Sequence, residues 1–88
     1  MKIKEGFVLR EVAGNMVVVA VGEASRSFNG LITLNETGAF LWQILSKGAT
    51  EDELVAAVLD EYAVTDRMAK NDVKTFIEKC ETAGLLEE

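Results

Sequence analysis

The sequence predicts an α+β fold: a three-stranded antiparallel sheet followed by three helices. Three observations predict it. The first 34 residues hold β-branched and alternating runs cut by turn residues. At Asn35 the apolar period changes from strand-like to helical. Three helix-start signals then follow, at Asn35, Thr50 and Thr65, each ahead of an amphipathic stretch.

The stretch from Gly30 to Trp42, Gly-Leu-Ile-Thr-Leu-Asn-Glu-Thr-Gly-Ala-Phe-Leu-Trp, is the corner of the fold. Gly30 to Leu34 reads as a short strand. Asn35 reads as the N-cap of the first helix, with Glu36 in the first turn, where the helix dipole favours a negative charge. A strand running straight into a capped helix leaves no slack, so sheet and helix pack as one unit.

Earlier in the chain, Phe7 to Val12 reads as a strand with Phe7 and Leu9 on one face. Ala13-Gly14-Asn15 is a turn signal, and Met16 to Val21 is a β-branched run suited to a central strand. The two form a hairpin. Gly22 to Asn29 is mostly polar and reads as loop.

The first helix runs from about Glu36 to Ser46, with Gly48 ending it. Phe40, Leu41 and Trp42 lie in its most apolar part and are expected to serve stability. Thr50-Glu51-Asp52-Glu53 is a capping box ahead of Leu54, Val55, Val58, Leu59 and Tyr62, which gives the second helix. The third starts at Thr65-Asp66 and runs to about Ala83. Its apolar face is Ala69, Val73, Phe76, Ile77 and Cys80. Gly84 stops it, and Leu85-Leu86 returns the tail to the core. The helical half resembles a helix-turn-helix, and the sheet at its flank makes it winged-helix-like.

Eighty-eight residues make one domain, residues 1–88, with no room for a second core. No apolar run approaches the roughly 20 residues of a membrane helix, and no apolar segment follows the N-terminus as a secretory signal requires. One cysteine, Cys80, fits a reducing, cytoplasmic setting. The net charge of −6 is concentrated in residues 35–64, which carry Lys47 against six acids. So acidic a chain is a poor non-specific binder of nucleic acid, because phosphate neutralisation supplies most of that affinity.

Catalytic chemistry is thinly provided. Without histidine the usual carrier of acid–base work near neutral pH is missing. One cysteine offers neither a nucleophile–base pair nor a metal cluster. Glu51-Asp52-Glu53 reads as a helix N-terminus and not as a metal site. We therefore expect no enzyme activity, no metal and no cofactor. What remains is a binding surface. The third strand comes last in the sheet and can present an unpaired edge, a template for another strand. On the third helix Arg67, Lys70 and Lys74 form a basic stripe at spacings of three and four, able to guide an acidic partner. A solvated face balanced by Asp66, Asp72 and Glu78 is the plainer reading of the same residues.

The Gly30–Trp42 stretch, Gly48-Ala-Thr-Glu-Asp-Glu-Leu54, Asp72-Val73, Phe76 and Gly84-Leu-Leu-Glu87, in that order, resemble the PqqD-like family. The resemblance spans nearly the whole chain. It implies a peptide chaperone of the kind named after pyrroloquinoline quinone (PQQ) biosynthesis, also called a precursor-peptide recognition element. Such a protein binds the leader of a ribosomally made precursor peptide and presents it to a modifying enzyme, often a radical S-adenosylmethionine (SAM) enzyme. In the family the leader adds as a strand to the third strand and lies against the third helix. Carried over by position, the leader would pair with Phe28, Leu31, Ile32 and Thr33 and meet the helix at Arg67, Lys70, Asn71, Lys74 and Ile77. The expected assembly state is a monomer or a weak homodimer. Two other classes compete with this reading: a winged-helix DNA-binding protein and a structural subunit of a larger complex.

Overall fold

The sheet starts from the hairpin that Ala13-Gly14 turns. In the computed structural model, which describes residues 1–26 and 31–87, β2 (Phe7–Val12) pairs antiparallel with β3 (Asn15–Ala20), from Phe7↔Ala20 to Val12↔Asn15. Only Ala13 and Gly14 lie between the strands, at φ +52° and +82°. Positive φ at both central residues gives the type I′ twist that suits a two-residue hairpin. β4 (Ile32–Leu34) adds to the other side of β3, so the sheet order is β2-β3-β4 and β3 is central. Val17 and Val18 point to opposite faces of β3, and both are buried. The strand expected from Gly30 is observed from Ile32, where its pairing with β3 ends at Val18. Gly30 and Phe28 lie outside the described residues.

Three helices follow. Helix α1 (Glu36–Leu45) is capped by Asn35, whose side chain accepts the Gly38 N–H at 2.7 Å. Helix α2 (Glu51–Glu61) has the full capping box: Thr50 Oγ1 accepts the Glu53 N–H, and Glu53 Oε1 accepts the Thr50 N–H. Helix α3 (Asp66–Thr82) is capped by Thr65, whose Oγ1 accepts the Met68 N–H. After β3, Gly22–Arg26 forms a 3₁₀ turn. No helix of the described residues is long and apolar enough to cross a membrane.

The core lies between the sheet and the helices. Val18 and Leu34 meet Leu41, Trp42 and Leu45 of α1, Leu54 and Val58 of α2, and Ala69, Val73, Phe76, Ile77 and Cys80 of α3. The apolar face expected for the third helix is thus the face it buries. Phe40 is only half-buried: it sits at the core margin, with its ring edge-to-face with Tyr62 at 5.5 Å.

One feature has no counterpart in the sequence reading. β1 (Lys2–Ile3) pairs antiparallel with β5 (Leu86–Glu87), which brings the two ends of the chain together. Met1 and Ala49 exchange hydrogen bonds, amino group to carbonyl at 2.9 Å and N–H to carbonyl at 2.8 Å. This clasp ties the α1–α2 connection to the tail and seats Ile3 and Leu85 in the core.

Candidate peptide-binding groove

β4 is an edge strand, and its open side can be read from the register. Val12 and Asn15 flank a two-residue turn, so they form a hydrogen-bonded pair. Pairs alternate along an antiparallel ladder, and the polar groups of one residue point to one side. On β3, Asn15, Val17 and Val19 therefore turn their N–H and C=O toward β2. Met16 and Val18 turn theirs toward β4, to Leu34 and Ile32. Thr33, opposite Val17, is left facing outward. An independent contact agrees: the Thr33 carbonyl accepts a hydrogen bond from Lys79 Nζ of α3 at 3.1 Å.

Helix α3 runs beside this open edge and forms the other wall of a groove. Leu31, Ile32 and Thr33 line the strand side, and Thr75, Glu78, Lys79 and Thr82 line the helix side. A second hollow continues past Thr33 toward the α1 N-terminus, between Thr37 and Gly38 on one side and Asp72 and Phe76 on the other. Leu31 is 71% exposed, the most exposed large apolar side chain among the described residues. Of the charged residues lining the two hollows, Lys79 is the cation, and Asp72 and Glu78 are the anions. Cys80, beside Lys79 in sequence, faces the core, and burial pushes its thiol pKa up to about 11.

The described residues among those named from the sequence divide into three groups. Leu31, Ile32 and Thr33 lie on the groove, and Phe28 lies outside the described residues. Arg67, Lys70, Asn71 and Lys74 are exposed on α3 but do not line the groove. Successive helix residues differ by about 100°, so Lys74 points well away from Thr75. Ile77 is 8% exposed and belongs to the core. The groove wall is instead the stripe Asp72, Thr75, Lys79 and Thr82, at spacings of three, four and three. That periodicity was available in the sequence, but it does not say which flank of the apolar face turns toward the sheet.

Comparison with known proteins agrees with this architecture. No curated protein sequence matches the chain. Two solved structures share its fold. TbiB1, solved in complex with the TbiA(beta) leader peptide, superposes with a TM-score of 0.75 at 24% identity, covering 99% of this chain and 95% of its own. A lasso peptide synthetase B1, complexed with the leader peptide, gives 0.75 at 20% identity, covering 99% and 96%. The family model for coenzyme PQQ synthesis protein D matches residues 7–86, from the start of β2 through both groove walls to β5, and the chain therefore belongs to the PqqD family.

Proposed function

We propose that this protein binds the leader segment of a ribosomally made precursor peptide by strand addition to β4, and presents it to a peptide-modifying enzyme without catalysing a reaction itself. The observation that carries this is the outward-facing Thr33 edge beside the exposed Leu31, walled by α3. A strand edge recognises main chain, and a flanking groove selects side chains. Both structural neighbours hold leader peptides, which supports the same use of the fold here. The resemblance to the family makes a radical SAM enzyme the first candidate for the modifying partner.

Affinity follows from few contacts. Two to four main-chain hydrogen bonds at roughly 0.5–1.5 kcal/mol each and burial of Leu31 at roughly 1.5–3 kcal/mol act against the cost of ordering the leader. A dissociation constant on the order of micromolar is expected. Duplex DNA is not favoured: the net charge is −6, and neutralisation of phosphates supplies most non-specific affinity for it. Arg67, Lys70 and Lys74, outside the groove, are assigned to steering an acidic peptide toward it.

Amide shift mapping of the labelled protein tests the reading, using a synthetic leader from a short precursor-like reading frame sought in the neighbourhood of its gene. Shifts should cluster at residues 31–34 and along the Thr75–Thr82 stripe. Shifts confined to α2 would sink it.

A further inference from the structure

The edge that strand addition would use is already engaged. Lys79 reaches from α3 to the Thr33 carbonyl, a contact between residues 46 apart in sequence. This is the acceptor that an incoming strand's N–H would need, because Thr33 is the β4 residue whose polar groups face outward. A lysine on an open edge is a familiar guard against unwanted strand pairing. Here the guard stands inside the groove. Among the described residues Lys79 makes no ion pair, although Asp72 and Glu78 line the same hollows.

We propose that Lys79 is the specificity-determining residue of the groove: it holds the Thr33 carbonyl in the free protein, yields that position to a leader N–H, and then pairs with an acidic side chain of the bound leader. The inference rests on the strand-addition reading above and adds to it the chemistry of the partner. Displacing the ammonium from the carbonyl costs a charge-assisted hydrogen bond. A leader carrying Asp or Glu beside the Thr33 position replaces it with an ion pair, and a leader carrying an amide there does not. The same side chain therefore closes the edge to arbitrary strands and opens it to acidic ones. Met is the suited replacement, since it keeps an unbranched apolar stem and loses the charge.

Two measurements test this on the intact chain. In the free protein, Lys79→Met should move the Thr33 carbonyl carbon resonance toward its non-hydrogen-bonded position, and an unmoved resonance overturns the guard without any peptide. The second uses two synthetic peptides, the acidic leader identified by the shift mapping above and its counterpart with every Asp and Glu changed to Asn and Gln. The native protein should prefer the acidic peptide by roughly twofold to fivefold, the range of an exposed ion pair. Lys79→Met should show a smaller preference, keeping only what Arg67, Lys70 and Lys74 add through faster association, and should bind the amide peptide at least as well as the native protein does. Equal preference in native and variant proteins overturns the inference and leaves strand addition standing. Failure of both peptides to bind the native protein overturns strand addition, and Lys79's role with it, while the carbonyl measurement still decides whether the guard exists.

Discussion

Thr33 stands directly opposite Val17, and the two face away from each other along the main chain. Ile32, its neighbour, is bonded toward Val18 on β3. The two positions should therefore answer proline in opposite ways. Thr33→Pro removes an N–H that no strand among the described residues uses, and edge strands tolerate proline there. It should leave the fold intact and abolish strand addition at all salt concentrations. Ile32→Pro removes a ladder bond and leaves a carbonyl of β3 unpaired, at a cost of about 1–3 kcal/mol. Urea unfolding and leader titration of both variants check the assignment. A stable Ile32→Pro beside an unfolded Thr33→Pro would reverse the reading of the edge.

Leu31 makes a complementary case. At 71% exposure it contributes little to the folded state, so Leu31→Ser should change stability by no more than about 0.5 kcal/mol. If a leader covers it, the same change should weaken binding by about tenfold or more. Urea unfolding of native and variant proteins gives the first number, and calorimetric titration with the leader gives the second.

The basic stripe should behave differently from Lys79. Lys70 and Lys74 are exposed and lie outside the groove wall. Charge reversal of both, Lys70→Glu with Lys74→Glu, should slow association of an acidic leader and flatten its salt dependence, with little change in dissociation rate. Stopped-flow association at low and high salt reads this. A change confined to dissociation would place the stripe in contact with the peptide.

Much of the fold was legible because local signals and tertiary demands coincide. Asn35, Thr50 with Glu53, and Thr65 each cap the helix they announce. The apolar stripe from Ala69 to Cys80 is the one that α3 buries. The candidate site was half legible. Residues 31–33 follow from strand order, since a last strand is an edge. The helix wall does not follow, because the polar flanks of α3 on either side of its apolar face look alike in sequence. Arg67, Lys70 and Lys74 are the more conspicuous flank by charge, yet Asp72, Thr75 and Lys79 are the ones beside the sheet. The clasp of Lys2–Ile3 with Leu86–Glu87 was also out of reach, since a two-residue strand carries no period to detect.

The hairpin turn offers a test of local strain. Ala13 holds φ +52°, a left-handed conformation that costs a residue with a Cβ roughly 1–2 kcal/mol. Asn is the residue type that tolerates this conformation best after glycine, and Asn-Gly is the favoured pair for a type I′ turn. Ala13→Asn should therefore stabilise the protein by about 0.5–1 kcal/mol without touching the groove. Urea midpoints compare the two, and leader affinity should be unchanged. A destabilised variant would mean that the turn is not type I′.

Cys80 makes the last prediction, on pH. Burial is the largest influence on its thiol, whose pKa rises from 9.0 to about 11; Lys79 lowers it and Glu81 raises it. The folded state thus holds the proton more tightly than the unfolded state does. For a group shifted upward the associated stability is fully present below pH 9 and is lost as pH rises through about 11. Urea unfolding at neutral pH and at successive steps across that window should show a decline. Other groups also titrate there, so the decisive quantity is the difference between the native protein and Cys80→Ala. The variant should be less stable at neutral pH, because the change leaves space in the core. Its disadvantage should shrink as pH rises, because it has no thiolate to bury. A gap that stays constant between pH 9 and 11 would show that the folded protein ionises Cys80 as readily as the unfolded chain does, and that the thiol is not sealed behind α3.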